Sequence, residues 1–287
     1  VEHARREGKR VHCETPLEPG SHVLPRGAEA RQGDVVVARG ARIGFPEVAM
    51  LATVGRDVVN VYARPRVAIL ATGDEIVECR ERPADYQIRN SNAYSLAVQV
   101  RNAGGEAEIL PVAKDTHQAI AEGVERGLAA DLFLLSGGVS AGKYDLVEPV
   151  LEEFGAEFYF DRVLIQPGQP LVFGRAREKF FFGLPGNPIS TMVTFEIFAR
   201  AALELLAGQR EAPLPAAWAR LTEDFRHKTG LTRFLPARLD GEGRVTPIRW
   251  HGSSDVPAIA RSNVFLVAEE DREEWKAGEW IRVIPRR

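Results

Sequence analysis

Residues 132–145, LFLLSGGVSAGKYD, are the part of the sequence closest to a phosphate-binding loop. Gly137, Gly142 and Lys143 have the spacing G-x-x-x-x-G-K, which is typical of loops that hold nucleotide phosphates. Tyr144, however, stands where that motif needs a serine or threonine hydroxyl for Mg²⁺. The preceding apolar run indicates a buried strand, and the residues that follow indicate a helix start. The pattern predicts an oxyanion site, and a P-loop is one interpretation of it.

Three further loops carry polar or glycine-rich residues where predicted strands end, at 72–75, 114–115 and 183–188. Ligands of open parallel sheets bind beyond the carboxyl ends of the strands, so these loops are expected to share one site. Glycines let backbone amides approach an anion, and carboxylates can hold Mg²⁺ through oxygen. The sequence therefore predicts an anionic substrate with a metal. The acidic residues expected to hold the metal are Asp74, Glu75 and Asp145.

Each loop also has a purely structural interpretation. Asp74 could cap a turn, and Asp115 with Gln118 three residues later forms a plausible helix-capping pair. Asn187-Pro188 suits a helix entry, whose free N–H groups and positive dipole end would also attract an anion. Four such loops on one predicted edge favour a binding site over four independent turns.

Alternating strands and helices between residues 66 and 208 supply the frame for these loops and predict a parallel sheet with crossover helices. Residues 1–65 are broken by prolines and glycines and predict a partial N-terminal region, a linker with β-rich remnants and a short helix. Residues 209–287 predict an all-β region of short strands. The predicted strands are 67–72, 107–112 and 132–136, and the predicted helices are 46–54, 91–103, 116–127, 146–154 and 188–206.

Composition excludes several classes of protein. The 287 residues carry a formal net charge of −3 and a pI of about 6.2, which gives no basic field for nucleic acid. Cys13 and Cys79 are too few for a disulfide scaffold, so a reducing cytoplasm is the expected compartment. No apolar run is long enough for a membrane span, and the first residues lack the apolar region of a signal peptide.

Five motifs, in this order and spacing, resemble those of the molybdopterin molybdenumtransferases, which are relatives of the gephyrin E domain. The resemblance runs from about Gly33 to the C-terminus, and the pairing of SGGVS with LPGNP is highly specific. The family's N-terminal segment, with its Met-Asp-Gly and Thr-Gly-Ala motifs, is not in this sequence. The isolated chain is therefore expected to bind the nucleotide end of the substrate but to insert molybdenum poorly. The motifs are residues 71–75 (ATGDE), 88–92 (IRNSN), 136–140 (SGGVS), 167–170 (PGQP) and 183–188 (GLPGNP).

The resemblance implies a fold and an activity. The fold is a parallel sheet with helices on both faces, which binds molybdopterin, followed by a C-terminal β-barrel. The reaction transfers molybdenum from molybdate to adenylylated molybdopterin in the presence of Mg²⁺ and releases AMP. The family is an elongated homodimer whose site lies between one subunit's sheet domain and the other's N-terminal and β domains. No nucleic acid or membrane partner is implied.

The resemblance also implies the residues of the site. Asp74, Glu75 and Asp145 are implied to be catalytic, and Asp74 and Asp145 to bind the metal. The substrate-binding residues implied are Thr72, Gly73, Asn90, Asn92, Asp115, Ser136, Gly137, Gly138, Ser140, Pro167, Gly168, Gln169, Pro170, Pro185, Gly186, Asn187, Pro188 and Ser253.

The chain departs from the family at several cationic positions. Gln166 and Gln169 stand where the family usually has lysines that attract molybdate, and an arginine of the family is replaced around Pro236. Lys143 stands where family members often have an acid. These departures keep a second hypothesis open, a non-catalytic molybdopterin-binding or scaffold protein of the same fold. A P-loop nucleotide hydrolase is a third hypothesis, which Tyr144 weakens.

Overall fold

The structure is a computed structural model that describes residues 4–13, 16, 18–138 and 146–286. The chain divides into two compact units, Val1–Val59 and Asn60–Arg287. The first unit contains an antiparallel hairpin of β1 (Ala4–Glu7) and β2 (Arg10–Cys13), and a helix α1 (Phe45–Thr53). This helix begins one residue before the predicted Pro46, which lies in its first turn, and Glu47 Oε2 accepts a hydrogen bond from the Gly44 N–H at 2.8 Å.

The second unit begins with an α/β part, in which strands and helices alternate. Its strands are β3 (Arg66–Ala71), β4 (Ile76–Val77), β5 (Ile88–Arg89), β6 (Glu106–Ile109), β7 (Leu132–Ser136), β8 (Glu157–Phe160), β9 (Ile165–Gln166), β10 (Val172–Ala176) and β11 (Lys179–Leu184). Its helices are α2 (Asn92–Asn102), α3 (His117–Gly127), α4 (Val147–Glu153), α5 (Pro188–Thr194) and α6 (Arg200–Leu206), with a π-helical segment Phe195–Ala199 joining the last two.

Six strands form the main sheet in the order β6-β3-β7-β11-β10-β8. The first four are parallel, as predicted, whereas β10 pairs with β11 in antiparallel orientation and β8 pairs with β10 in antiparallel orientation. Alternate residues of β3 and β7 enter two apolar cores: Leu70 and Phe133 pack on the side of α3 and α4, while Ile69 and Leu134 pack on the side of α2 and α6. Helices on both faces are thus confirmed.

The C-terminal part is a closed barrel that also carries one short helix. Its strands pair in the ring β12-β18-β16-β14-β15, and β15 returns to β12. A separate two-stranded ribbon joins β13 and β17. The barrel elements are β12 (Ala217–Leu221), β13 (Phe225–Arg226), β14 (Thr232–Leu239), β15 (Arg244–Pro247), α7 (Val256–Arg261), β16 (Val264–Ala268), β17 (Glu274–Trp275) and β18 (Trp280–Pro285).

The α/β part and the barrel share one apolar core. Ile189 and Val193 of α5 pack with Phe265 of β16 and Ile259 of α7, and all four side chains are at most 2% exposed. Strand β9 leaves the α/β part and pairs with the start of β14, and the Ile189 N–H donates to the Ser253 carbonyl at 2.9 Å. The two parts are therefore joined by packing and by backbone hydrogen bonds.

The predicted helix over 188–206 has the observed bounds but not the observed internal geometry, and the predicted capping of α3 is wrong. The predicted helix 188–206 is interrupted by the π-helical segment, which one-sequence periodicity does not reveal. The predicted capping pair of Asp115 and Gln118 does not form, because the hydroxyl of Thr116 accepts the hydrogen bond of the Ala119 N–H at 3.3 Å. Among the residues described above, no helix is both long and apolar enough to cross a membrane.

Candidate functional site

A cleft of about 510 Å³ lies at the carboxyl ends of β3, β7 and β11. Parallel strands bring the loops that follow them to this edge, so the predicted convergence is observed. Fourteen of the predicted site residues line the cleft: Thr72, Gly73, Glu75, Asn90, Asn92, Asp115, Ser136, Gly137, Gly138, Pro170, Pro185, Gly186, Asn187 and Pro188.

The loop after β3 is fixed to its neighbours by backbone hydrogen bonds. The Thr72 N–H donates to the Ser136 carbonyl at 3.2 Å, and the Gly73 N–H donates to the Ala113 carbonyl at 3.1 Å. Gly73 has φ +141°, and a side chain there would meet the Glu75 carboxylate at 2.8 Å. Only glycine allows this carboxylate to fold back over the backbone beside the cleft.

Asp74 and Asp115 hold each other through reciprocal hydrogen bonds. Asp74 Oδ1 accepts from the Asp115 N–H, and Asp115 Oδ2 accepts from the Asp74 N–H, both at 3.3 Å. The Lys114 ammonium donates to the carbonyls of Asp74 and Ile76 at 3.3 and 3.4 Å. Asp74 is not in the lining of the cleft, but its partner Asp115 is, so two exposed carboxylates lie together at the rim.

Gly137 lies where the loops after β3 and β7 meet. It has φ +93°, and an added Cβ would lie 2.9 Å from the Thr72 carbonyl oxygen. Its own N–H donates to the Leu184 carbonyl at 3.2 Å. Gly138 follows with φ +65°, so two successive residues adopt the left-handed conformation that favours glycine. The result is a bare stretch of backbone facing the cleft, as the Gly-Gly pair predicts.

Asn92 connects three loops through one side chain. Its Nδ2 donates to Ser136 Oγ at 2.8 Å and to the Gly186 carbonyl at 2.7 Å. The Gly186 contact requires a donor, so the amide orientation is set and Oδ1 points elsewhere. Asn90, which is 3% exposed, accepts the Ala93 N–H at 3.1 Å and thereby supports the first turn of α2.

Three buried polar atoms of the cleft residues lack a hydrogen-bond partner within the described parts of the chain: Thr72 Oγ1, Asn90 Nδ2 and Asn92 Oδ1. An unsatisfied buried polar group costs about 1–3 kcal/mol, and such groups concentrate where a ligand or water belongs. Their clustering in residues of one cleft marks it as a binding site.

The loop after β11 leads directly into α5. Asn187 occupies the N-cap position with Pro188 next, as predicted, but the Asn187 side chain makes no capping hydrogen bond. The Thr191 hydroxyl instead donates to the Asn187 carbonyl at 3.0 Å and also contacts the Pro185 carbonyl. The exposed Asn187 side chain therefore lines the cleft and does not cap the helix.

The remaining predicted residues lie elsewhere. Pro167 and Gly168 are buried, and a Cβ at Gly168 would meet Thr194 Cγ2 at 2.4 Å, which shows tight packing against α5. The Gln169 carbonyl accepts from the N–H groups of Val163 and Leu171, both at 3.0 Å. Ser253 contacts the start of α5 through its carbonyl. None of these four lines the cleft, and Ser140 and Asp145 lie outside the described residues.

The β4–β5 pair contributes cleft residues that sequence analysis missed. Ile76 lies opposite Ile88, and both line the cleft together with Arg89, whose Nε donates to the Cys79 carbonyl at 3.1 Å. These strands have two residues each, too short for a periodic signal. Nearby, a hydrogen bond with the Cys79 side chain, together with partial desolvation and Glu78, raises the pKa of Tyr94 to about 12.

Matches to known proteins agree with this architecture. Three family models match, described as MoeA N-terminal region (domain I and II) over residues 1–55, "Probable molybdopterin binding domain" over 68–205, and MoeA C-terminal region (domain IV) over 218–285. A molybdopterin molybdenumtransferase of Haemophilus influenzae is 30% identical over 285 residues, covering 97% of this chain and 70% of the relative. The chain belongs to the molybdopterin molybdenumtransferase family.

Other family members give the same result. A molybdopterin molybdenumtransferase of Synechocystis is 32% identical over 269 residues, which is 91% of this chain. A solved molybdopterin biosynthesis MoeA protein from Pyrococcus horikosii is 30% identical with a TM-score of 0.79, covering 99% of this chain and 70% of its own. The chain spans about two thirds of its relatives, 66% of the Synechocystis protein and 65% of a Staphylococcus aureus one. The family predicted from the five motifs is confirmed.

Proposed function

We propose that this chain acts in molybdenum cofactor biosynthesis and transfers molybdenum from molybdate to adenylylated molybdopterin, with release of AMP. The observation that carries the proposal is the convergence of the family's motif residues on one cleft at the carboxyl edge of the sheet. Membership of the family supports the same reaction, because its curated members are named molybdopterin molybdenumtransferases.

In this proposal the bare backbone at Gly137 and Gly138 holds the phosphates of the adenylylated substrate. The phosphate can approach this backbone because no side chain intervenes, and the Gly138 N–H is the proposed donor, since the Gly137 N–H is bonded to the Leu184 carbonyl. Asn92 and Ser136 keep the three surrounding loops at fixed separation, and Asn187 supplies a polar side chain from the loop after β11. The cleft thereby binds and orients the bond that breaks when AMP leaves. Ser140 and Asp145 are proposed to complete this site.

Mg²⁺ is part of the proposal, and the carboxylates at the rim of the cleft could supply some of its ligands. The described residues contain no group of three or more acidic, histidine or cysteine side chains that could enclose a metal. Mg²⁺, however, commonly takes one or two carboxylates and completes its shell with substrate phosphates and water. Asp74, held against Asp115, would bind it with Asp145, and the ion would offset phosphate charge when AMP is released.

The molybdate position is proposed to lie near the junction of α5 and the barrel, where Ser253 contacts Ile189. Gln166 is paired with Arg233 in the β9–β14 register, so a guanidinium-bearing residue is adjacent to a position where the family has lysine. We also propose that the chain forms a homodimer and has three domains, with boundaries at residues 65 and 208. A cytoplasmic location is proposed because Cys13 and Cys79 form no disulfide.

The test is to incubate the purified chain with adenylylated molybdopterin, molybdate and Mg²⁺ and to measure both substrate binding and AMP release. Mg²⁺-dependent AMP release with cofactor formation would support the proposed reaction. Tight binding of the substrate without AMP release would favour the alternative, a non-catalytic molybdopterin-binding or scaffold protein of this fold. A chain that binds neither the adenylylated pterin nor AMP would contradict both.

A further inference from the structure

The outer face of β12 and β18 exposes two large aromatic side chains. Along these strands Ala219 and Ile281 point into the barrel and are at most 2% exposed, whereas Trp218 and Trp280 point outward and are 63% and 54% exposed. The outward residues two positions along are arginines. Trp218, Arg220, Trp280 and Arg282 form what we call the Trp–Arg patch.

The strand register interleaves the two residue types. Trp218 lies opposite Arg282, and Arg220 lies opposite Trp280, so each indole has a guanidinium-bearing neighbour across the strands. The guanidinium carbon of Arg220 is 5.0 Å from the centre of the Trp280 ring, which is a cation–π distance. Aromatic and positive side chains therefore alternate in the patch, both along and across the two strands of the closed barrel.

The positive charges of the patch have no counter-ion among the described residues. Neither Arg220 nor Arg282 has a carboxylate within ion-pair distance in the part of the chain that the structure describes, and Arg282 Nε is buried without a hydrogen-bond partner there. Arg244 on the adjacent strand β15 provides the contrast, because Asp240 and Glu242 lie 2.8 and 3.1 Å from its nitrogens. Arg220 and Arg282 are therefore available to an external anion.

We propose that the Trp–Arg patch is a docking site for a partner protein that presents an extended segment with acidic side chains at alternate positions. Tryptophan and arginine are the residues enriched in the energetic centres of protein interfaces. Both strands already have two neighbours in the closed ring, so the partner binds through side chains and not by adding a strand.

Spacing favours this kind of partner. Arg220 and Arg282 are diagonal neighbours, which places them roughly 7–8 Å apart at the level of the backbone. Alternate residues of an extended chain are separated by about 6.6–6.8 Å and point to the same side. Two carboxylates of such a segment can therefore reach both guanidiniums, while apolar atoms between them cover the indoles.

Charge favours a protein segment over single-stranded nucleic acid. A phosphodiester chain needs a continuous basic track, but the protein has a net charge of −3, and Asp240 and Glu242, in the turn before β15, pair with Arg244, the residue opposite Arg220. A short acidic segment needs only the two available arginines.

The test measures fluorescence anisotropy of three labelled probes with the full chain: a short peptide of alternating aspartate and valine, the same peptide with lysine in place of aspartate, and an oligothymidylate. We expect the aspartate peptide to bind, with an affinity that falls in high salt, and the other two not to bind. Absence of aspartate-peptide binding, or oligothymidylate binding of equal affinity, would overturn the proposal.

Variants make the test specific to the patch. Arg220→Glu with Arg282→Glu should reverse the preference to the lysine peptide, and Trp218→Ala with Trp280→Ala should weaken the aspartate peptide at least tenfold. Arg238→Glu, an exposed arginine of β14, is the matched control and should leave binding within twofold. An equal loss in the control would attribute binding to overall charge and refute the docking site.

Light scattering over a range of protein concentrations tests whether the patch is a contact between copies of this chain. If the tryptophan variant changed the oligomeric state, the patch would be a contact between copies of this chain, and the proposal would be wrong. An unchanged oligomeric state and an unchanged thermal midpoint, together with the loss of peptide binding, would support it.

Discussion

Gly137 combines a left-handed backbone with a close approach to the Thr72 carbonyl, and this makes it the sharpest single-residue test of the cleft. Gly137→Ala should weaken AMP binding at least about tenfold, because the loop after β7 must move away from the loop after β3. Gly278→Ala is the matched control: its φ is +86°, but a Cβ there meets nothing within 4 Å.

Calorimetric titration with AMP and thermal unfolding separate the two effects. Both variants should lose about 1 kcal/mol or more of stability from the strained backbone, but only Gly137→Ala should lose affinity. Equal AMP affinity in the wild type and Gly137→Ala would remove this loop from the binding site.

Asp74 tests the metal at the rim of the cleft. Asp74→Asn keeps an oxygen that can accept from the Asp115 N–H, so the loop geometry is retained while the negative charge is lost. We expect the Mg²⁺ concentration needed for half-maximal AMP release to rise at least about tenfold, since an oxygen ligand loses its charge. Asp85→Asn, an exposed acid that does not line the cleft, should behave as wild type. An unchanged Mg²⁺ dependence in Asp74→Asn would exclude Asp74 as a ligand.

Gln166 and Gln169 test how the chain attracts molybdate without the family's lysines. Gln166→Lys should lower the molybdate concentration for half-saturation several-fold, because a charged hydrogen bond is about twice as strong as a neutral one. The effect should weaken in high salt, since Gln166 is exposed. Gln169→Lys is expected to do less, because its side chain is only partly exposed. Identical titrations for wild type and both variants would move the molybdate site away from this loop.

Most of the cleft could be anticipated at the residue level, because glycines with forced backbone angles and asparagines at loop starts leave a local signature. The tandem Gly137-Gly138 and the Asn187-Pro188 entry are of this kind. The Asp74–Asp115 pairing was not predicted, although both residues were named, because it joins loops 41 positions apart. Local spacing favoured a helix cap for Asp115, but Thr116 is the N-cap of α3, because its hydroxyl accepts the hydrogen bond of the Ala119 N–H.

At the scale of elements, Asp131 ties together the amino ends of three parallel strands. Its Oδ2 accepts the Arg66 N–H at the start of β3 at 2.9 Å, and its Oδ1 contacts the Lys179 ammonium at the start of β11 at 3.3 Å. The Arg66 backbone hydrogen bond, followed by the contacts with Lys179, lowers the pKa of Asp131. The charged form is therefore favoured in the folded state.

This shift predicts a specific pH dependence. Because the folded pKa lies below the unfolded one, the stabilisation is complete above the unfolded value of about 3.9 and is lost as the pH falls through the folded value. Asp131→Asn should cost about 1 kcal/mol at neutral pH, a figure already reduced for partial exposure, and the difference from wild type should shrink in acid. Urea unfolding across this pH range measures it.

Lys179→Met serves as the comparison, because it removes the second contributor and keeps the hydrogen bond to Arg66. Its cost should be smaller than that of Asp131→Asn. A larger cost for Lys179→Met would mean that the ion pair, and not the backbone hydrogen bond, holds the strand ends.

Elements with a strong local pattern were predicted well, and those defined by distant partners were not. Strand β7 has the predicted bounds, α3 begins one residue later than predicted, and α2 and α4 are each one residue shorter than predicted at both ends. The two-residue strands β4, β5 and β9 exist only because a distant segment pairs with them. The antiparallel orientation of β10 and β8 likewise depends on the partner strand, since the residues of one strand do not reveal the direction of its neighbour.

For the whole second unit, the shared core predicts cooperative unfolding. All four tryptophans, at 218, 250, 275 and 280, lie in the barrel part, so their fluorescence reports on the barrel, whereas far-ultraviolet circular dichroism is dominated by the helices of the α/β part. Ile259→Ala in α7 should lower the free energy of unfolding by about 2–5 kcal/mol. Because Ile259 packs against α5, the unfolding midpoints seen by fluorescence and by circular dichroism should fall together.

Ile120→Ala provides the reciprocal control, since Ile120 is buried only in the core between α3, α4 and the sheet. If the second unit unfolds as one body, this change should also shift the tryptophan signal, although every tryptophan is distant in sequence. Two separated transitions, with each variant moving only its own signal, would show that the barrel and the α/β part unfold independently.

The open sheet and the closed barrel differ in their exposure to aggregation. The barrel ring leaves no strand edge, but the main sheet ends at β6 and β8, whose backbone groups could template another chain. Exposed Glu106 and Glu108 alternate along β6, and Glu157 begins β8 with an exposed carboxylate. Two sheets that approached edge to edge at β6 would bring like charges together, so this acidic spacing acts against fibre-like stacking when many copies are crowded.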